Sequence, residues 1–428
     1  MTYKSPKDNS LALFHLGEPA YTHAILLPTK SKGYGPALTP NLIVDFINAG
    51  SNVLLALSGE SGVPSAVNSL LLELDITLPA DRNSIVVDHF NCDEKSAKES
   101  HDVLLLPGAL GINKKGSIKD YFSVDGLIAF PRAVGQVLGN ASPLLASVVK
   151  APSTAYPYNP KEEAEGIEDV FASGTQLNLV TAFQARNSAR LTVLGSSESL
   201  EDRWMDATVS LPSSSGKKPT AIQSSNRAFA KKLTAWTFKE SGVLRVNTVS
   251  HYLSEGSQKG VANITAVSAQ IETNPTIYRI KNDVHYSISV SEWDMDHWSP
   301  FLPASSDELQ LEFSMLSPFW RLNLTPSSQT TNETTFSAEF KLPDQHGIFN
   351  FYTEYRRPFL TNLEEKRTVT VRHFAHDEWP RSFVISGAWP WISGIWVTVA
   401  GFLMFSALWL YSKPAQPKRE LKVQQGKR

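Results

Sequence analysis

Hydrophobic positions in the first 240 residues fall into two interleaved patterns. Short apolar runs without polar interruption occur at 24–27 (AILL), 53–57 (VLLAL), 85–87 (IVV) and 103–106 (VLLL), with the length expected of strands buried on both faces. Segments with a period near 3.6 lie between them. Thr39 and Pro40 suit an N-cap followed by proline at the first helical position, Leu42, Ile43, Phe46 and Ile47 share one helical face, and Gly50 suits the C-terminal cap. Residues 64–74 read as a second helix, 191–195 (LTVLG) as a further strand after the loop-rich 152–166, and 226–238 (NRAFAKKLTAWTF) as a closing helix. Strands spaced by helices predict an α/β layer with a parallel sheet and crossovers, ending near Glu240.

Beyond Gly242 the period changes to 2. Val284, Tyr286, Ile288 and Val290 alternate with polar residues, as do Leu309, Leu311, Phe313 and Met315, then Phe336, Ala338, Phe340 and Leu342, then Phe349, Phe351 and Tyr355. Each set predicts a strand with one wet face, with a turn at 343–347 (PDQHG) between two of them. The expectation is an antiparallel β-sandwich over 241–385, reaching Val369 and Val371.

The pattern changes once more near the C-terminus. No charge occurs from 382 to 412, and 392–411 (ISGIWVTVAGFLMFSALWLY) is a predominantly apolar run of 20 residues. At ~1.5 Å per residue it reaches about 30 Å, the thickness of bilayer hydrocarbon. Trp389 and Trp391 bracket one end, Trp409 and Tyr411 the other, where amphipathic rings favour the headgroup boundary. A buried helix of a soluble core is the competing reading, which the length and the bracketing disfavour. The expectation is a transmembrane helix over 388–411. Six Lys/Arg follow it in 413–428, whereas Arg372 and Arg381 are the only two in the 20 residues before Ala388. That asymmetry predicts a cytoplasmic basic tail, 412–428, and N-terminal domains on the opposite side.

Charge and composition narrow the function. The formal net charge is −2, and because the tail holds six Lys/Arg against one Glu, the remaining body carries −7. A weakly acidic body argues against nucleic-acid binding. With 42% hydrophobic and 19% charged residues the chain is expected to be folded. Cys92 is the single cysteine, so no internal disulfide forms. Met1-Thr2-Tyr3-Lys4 leads into polar sequence without the apolar stretch of a signal peptide, which sits poorly with domains outside the cytoplasm.

Candidate chemistry is sparse. Asp88-His89-Phe90-Asn91-Cys92-Asp93 places a thiol, an imidazole and two carboxylates after a strand, which would suit a Cys–His pair. Cys92 does not lie in a Gly-x-Cys-x-Gly elbow, however, and a packed structural cysteine is the expectation. His373 and His376 suggest metal only superficially, since they follow a strand and lack a third ligand cluster. Gly33-Tyr34-Gly35-Pro36 is not a phosphate loop, lacking the lysine and hydroxyl that reach phosphate and magnesium. No catalytic, cofactor-binding or metal-binding residue is therefore expected. N-x-S/T sequons stand at Asn140, Asn263, Asn323 and Asn332, those at Asn140 and Asn323 weakened by the following Pro143 and Pro326.

Several blocks, in order, resemble one family. They are Leu11-Ala12-Leu13-Phe14 with Gly17-Glu18 and Tyr21, Val87-Asp88-His89, 184–190 (QARNSAR), 236–246 (WTFKESGVLRV), 307–313 (DELQLEF), and 340–344 (FKLPD) with Gly347-Ile348-Phe349. From about Lys4 to the apolar run the chain is similar to the 48-kilodalton-type, in fungi Wbp-type, subunit of oligosaccharyltransferase. The resemblance implies an endoplasmic-reticulum type I membrane protein within the complex that transfers a glycan from dolichyl diphosphate to asparagine. It implies partners among the other subunits, including the polytopic catalytic subunit and a ribophorin-type subunit. It also implies that 1–240 is an amidotransferase-like, flavodoxin-like α/β domain lacking a nucleophile. Family members begin with a signal peptide ahead of the Tyr3-Lys4 region, so an N-terminal truncation is expected here. The end Gly426-Lys427-Arg428 lacks the paired lysines of a retrieval signal, so residence in the reticulum would depend on partners. The competing readings are an independent lumenal amidotransferase-like hydrolase using Cys92 and His89, and a type I receptor or adaptor.

Overall fold

A computed structural model of the chain describes residues 2–5, 8, 10–95, 100–109, 119–140, 142–161, 171–212, 221–254, 273–378 and 388–414. The chain forms two compact units, Met1–His373 and Phe374–Arg428. The first contains an α/β region followed by a curled β-sheet region, and the second contains one long apolar helix.

The α/β region is built from β1 (His23–Leu26), α1 (Pro40–Asn48), β2 (Asn52–Ala56), α2 (Ser65–Glu73), β3 (Ile85–Val87), β4 (Val103–Pro107), β5 (Leu127–Pro131), β6 (Leu145–Lys150), β7 (Asn178–Gln184), β8 (Arg190–Leu194) and α3 (Asn226–Thr237). α1 starts as its sequence dictates: Leu42 N–H donates to Thr39 Oγ1, Pro40 occupies the first turn, and Gly50 beyond the last turn takes φ +94°. The central sheet runs β6-β7-β8-β2-β1. All five β2 residues are buried because both faces are covered. Val53 and Leu55 pack with Ile43, Phe46, Val67 and Leu70 of α1 and α2, while Leu54 packs in a second cluster with Phe229, Leu233 and Trp236 of α3. Each such aliphatic or aromatic burial contributes about 1.5–3 kcal/mol.

The expected parallel sheet is realised in three strands only. β1, β2 and β8 are parallel, in the register Ala24↔Val53 and Val53↔Leu191, whereas β7 and β6 are antiparallel additions. Residues 185–189 are all that join β7 to β8, far short of the dozen or so that a parallel crossover requires. β3 and β4 lie outside this sheet: β3 pairs antiparallel with Tyr156–Tyr158, and β4 pairs antiparallel with β5. An apolar run identifies a buried strand but not its partner.

The curled sheet comprises β9 (Ser241–Leu253), β10 (Ile277–Arg279), β11 (Asp283–Asp294), β12 (Leu309–Ser314), β13 (Pro318–Gln329), β14 (Thr334–Lys341), β15 (Gly347–Tyr355) and β16 (Leu363–Arg372). Its order is β9-β11-β14-β13-β12-β15-β16-β10, with His297–Pro300 added beside β11. All of its pairings are antiparallel except β10 with β16. The strand β13 is shared: its first half pairs with β12 (Leu324↔Leu309) and its second with β14 (Thr325↔Ser337). The sheet is thus continuous and folds back on itself, so that Tyr286 of β11 stacks on Phe351 of β15 and its hydroxyl bonds Thr353 Oγ1 at 3.0 Å. Phe313 and Phe349 stack with centroids 4.7 Å apart, and the alternating residues 284, 286, 288, 290, 309, 311, 313, 349 and 351 are all buried as their period requires. The turn expected over 343–347 falls on the connection, residues 342–346, that carries the chain from β14 to β15, which are not neighbours in the sheet.

In the second unit α4 (Trp389–Tyr411) has 23 residues and a mean hydropathy of 1.7 in its most apolar window, none of which is buried. Among the described residues it is the one helix long and apolar enough to cross a membrane. Two of its polar side chains bond their own backbone, Thr398 Oγ1 to Gly394 O at 2.8 Å and Ser393 Oγ to Pro390 O at 3.0 Å, and Ile395, Phe402 and Leu403 project outward.

Candidate functional site

Three places in the first unit gather polar groups that sequence or topology marks for chemistry. The first is the C-terminal edge of the parallel strands, where open α/β sheets usually hold their ligands. The loop after β2 and the loop after β8 are tied together there, Leu57 N–H to Leu194 O at 2.8 Å and Ser197 N–H to Leu57 O at 2.7 Å. Glu198, its side chain almost wholly buried, accepts from Arg132 Nη2 at 2.8 Å and from Arg203 Nη2 at 2.7 Å through the same oxygen. Arg132 also reaches Glu60 at 3.1 Å, and its hydrogen bond to Glu198, against the opposing effect of burial, holds the guanidinium above its ordinary range. Gly59 is where a crevice would open, yet a Cβ placed on it would stand 2.2 Å from Ile85 Cγ2 and 3.0 Å from Arg132 O. The chain itself fills the space over the strand ends.

The second place is the turn after β3. Asp88 is fully buried and accepts from the backbone N–H groups of Phe90 at 2.7 Å and Asn91 at 3.1 Å, from Asn91 Nδ2 at 3.1 Å and from Thr154 Oγ1 at 2.6 Å. Burial works to raise its pKa, but these donors, Thr154 foremost, outweigh it and hold the carboxyl below its ordinary value. Cys92 is fully buried and its thiol donates to the backbone carbonyl of His89 at 3.8 Å, not to an imidazole. Burial, then the Asp88 charge, pushes the thiol up, away from the thiolate that nucleophilic chemistry needs. His89 is exposed, bonds Tyr156 Oη through Nε2 at 2.9 Å and meets the His101 ring edge at 4.4 Å. Asp93 caps Ser210 N–H at 3.0 Å. The six residues are brought close by sequence, but the fold points the thiol and the imidazole apart.

The third place carried no functional expectation. Arg190 opens β8 and is fully buried, its Nη1 donating to Trp236 O at 2.6 Å and Ser241 O at 2.7 Å, its Nη2 to Gly242 O at 2.7 Å and Phe359 O at 3.3 Å. The guanidinium lies over the Trp236 ring at 4.7 Å, and Trp236 Nε1 donates to Phe359 O at 2.8 Å. Burial pushes Arg190 down to about 9, opposed by Tyr121 and Glu292, so it stays charged at neutral pH. Around it Gln184 Nε2 donates to Leu360 O at 2.5 Å, Asn362 N–H to Ser188 Oγ at 2.9 Å, and Asn362 Nδ2 to Arg186 O at 2.8 Å. Tyr121 Oη and Lys119 Nζ both reach Glu292 of β11, at 2.6 and 2.5 Å. Thus the blocks 184–190 and 236–246 meet the loop after β15, and together they join the α/β region to the curled sheet. Gly242 belongs to the same joint: its φ is +66°, and a Cβ would fall 2.6 Å from Phe359 O. The one sequence signal for this role is a charged residue heading an otherwise apolar strand, and its partners lie 46 to 169 positions away.

The remaining candidates are separate. The His373 ring edge meets His346 at 6.0 Å, whereas His376 lies in the second unit, in the short turn His376–Glu378. Among the described residues no group of three or more His, Cys, Asp or Glu is placed to hold a metal. Gly33 packs on Ala66, where a Cβ would come 3.0 Å from the alanine methyl. Asn263 and the tail from 415 onward lie outside the described residues.

Comparison with known proteins follows the same division of the chain. A sequence family described as the OST48 N-terminal domain matches residues 1–240, and one described as the OST48 middle domain matches 266–413. The chain is 34% identical over 415 residues to the dolichyl-diphosphooligosaccharide–protein glycosyltransferase subunit wbp1 of Schizosaccharomyces pombe, covering 96% of this chain and 86% of that protein. It is 32% identical over 420 residues to the 48 kDa subunit of the same enzyme in Caenorhabditis elegans, covering 98% and 86%, and 29% identical over 397 residues to subunit WBP1 of Saccharomyces cerevisiae, covering 92% and 80%.

Proposed function

The chain belongs to the OST48 family of oligosaccharyltransferase subunits, and from that premise we propose that it serves the glycosyltransferase complex as a structural, non-catalytic subunit. The complex moves a preassembled oligosaccharide from dolichyl diphosphate to asparagine in N-x-S/T segments, and this chain helps hold its lumenal face together. The observation that carries the reading is the extent of the family likeness, which spans both regions of the first unit and reaches α4. Two features of the α/β region support the non-catalytic part. The edge of the parallel strands is filled by Ile85, Arg132 and the Glu198 ion pairs, and the one thiol is buried with a raised pKa. We read 1–240 as an amidotransferase-like layer without a nucleophile, 241–385 as a sandwich-like domain, 388–411 as the membrane span and 412–428 as a cytoplasmic tail.

The reading places the protein in the endoplasmic-reticulum membrane as a single-pass type I subunit. The six Lys/Arg after α4 favour a cytoplasmic tail, which leaves the first unit in the lumen. Its partners in this reading are the polytopic catalytic subunit and a ribophorin-type subunit. Affinity capture of the full chain in mild detergent tests it: the polytopic transferase is expected to co-purify in stoichiometric amount. Recovery of the chain alone, from a membrane whose glycosyltransferase remains assembled, would overturn it. Protease added to sealed microsomes is expected to remove the tail only.

A further inference from the structure

The hairpin of β12 and β13 ends in an apolar tip. Residues 313–320 (FSMLSPFW) hold no charge, and the connection Met315–Ser317 contains none of the Gly, Asn or Asp that tight turns favour. Leu316 is 98% exposed, and Trp320, at the base of the tip across from Phe313, is exposed as well. Phe319 falls in the register break between the pairs Phe313↔Trp320 and Ser314↔Pro318, and its ring meets Phe349 edge-on at 5.3 Å. The tip is thus held from the core side while Leu316 stands in the open. Directly behind it Arg321 Nε donates to Glu312 Oε2 across the hairpin at 3.0 Å, so charge begins where the apolar stretch ends.

Two isoleucines extend this surface. Ile348 of β15 and Ile277 of β10 flank Thr370 of β16 in one cross-strand row, and they are 63% and 51% exposed. β15 meets the tip directly: a Cβ on Gly347 would stand 2.7 Å from Met315 Sδ. Single exposed aliphatic side chains are ordinary, but Leu316, Trp320, Ile348 and Ile277 gather at one end of the sheet, as at a surface that meets a partner. It is also the end from which the chain leaves the first unit. β16 finishes at Arg372, paired with Arg279 and one residue past the pair Gly347↔Val371, and residues 374–388 lead on to α4. A tether reaches a bilayer with least extension from the end at which it is attached.

We infer that the β12–β13 tip, Met315–Trp320, dips into the headgroup layer of the membrane that α4 crosses, with Ile277 and Ile348 lying against the same lipid surface. The inference rests on the reading of α4 as a membrane span. Each part of the hairpin suits its depth. Trp320 offers an amphipathic ring that favours the headgroup boundary, and Leu316 an aliphatic chain that favours the acyl region just beneath it. The Glu312–Arg321 pair marks the level at which the hairpin returns to water. The tip gives the curled sheet a hold on the membrane apart from its covalent tether.

The full chain, in its complex and in phosphatidylcholine nanodiscs, carries a bimane label on Ser317→Cys or, at the far end of β13, on Gln329→Cys, each in a Cys92→Ala background. Phosphatidylcholine bearing a nitroxide near its headgroup is expected to lower the emission from position 317 about twofold and to leave 329 unchanged, with aqueous iodide acting the other way round. Leu316→Asp supplies the second arm. It is expected to move the 317 label from the lipid quencher to iodide while protease resistance stays that of the parent, because Leu316 is exposed and belongs to no core. A 317 label quenched by iodide alone, shielded from both quenchers by a neighbouring protein, or quenched by lipid no more than 329, overturns the inference and leaves α4 in the bilayer. Release of the chain from membranes by alkaline carbonate overturns the span and the inference together.

Discussion

Glu198 and Arg190 are both buried charges of the α/β region, and their partners differ in kind. Glu198, at the strand edge where related architectures do chemistry, meets two guanidinium groups, each partly open to solvent. Arg190, at the seam with the curled sheet, has no ion-pair partner among the described residues and spends its donors on four backbone carbonyls from three segments. The first arrangement closes a site, and the second builds a joint. A charged fork that bonds carbonyls of distant segments fixes their relative geometry more stringently than an apolar contact of equal area would, because each carbonyl it leaves unpaired carries a desolvation penalty.

The sharpest way to break this contrast is Arg190→Ala, which removes the guanidinium from the carbonyls of Trp236, Ser241, Gly242 and Phe359, although Phe359 O keeps Trp236 Nε1, Gly242 O keeps Thr361 N–H and Trp236 O keeps Lys239 N–H. A loss of about 3–5 kcal/mol is expected, of the size seen when one partner of a buried charged network is removed. Urea unfolding of the detergent-solubilised chain would read it, and a loss below about 1 kcal/mol would mean the joint is held by packing alone. Glu198→Gln probes the other side. Its neutral amide keeps an acceptor but loses charge assistance, for an expected cost of about 1–2 kcal/mol. Glycan transfer per assembled complex should not change; a selective fall in transfer at constant assembly would return chemistry to the strand edge. Cys92→Ala carries the smallest effect, about 1 kcal/mol from the lost packing, again with transfer intact. Because burial and the Asp88 charge raise the thiol pKa, alkylation of folded Cys92 at pH 8 should run slower than that of an exposed thiol, and should recover on unfolding. Fast labelling of the native chain would contradict the buried geometry.

Much of the frame was legible before the fold was known. Thr39, Pro40 and Gly50 delimit α1 because capping is local chemistry, and the alternation in 284–290 and 309–313 places those side chains because burial has a period of two. Pairing was less accessible. The runs 85–87 and 103–106 identify strands, yet both leave the central sheet for antiparallel partners, since nothing in an apolar triplet encodes its neighbour. The same limit hid β13 as a strand serving both halves of the curled sheet. The joint at Arg190 was hidden for a different reason: its partners are backbone carbonyls, which every residue possesses, so no sequence pattern singles them out. Thr334, in contrast, is in phase with Phe336 on the buried face, and extending that alternation by one step would have shown the sequon threonine turning inward.

The divided loyalty of β13 bears on how the curled sheet comes apart. Were its two halves separate layers, one might melt while the other stayed whole. With a single backbone stitched into both, a break beginning in either half runs along the same thread into the other. The curled sheet therefore has no seam at which to open in stages, and it yields all at once or not at all.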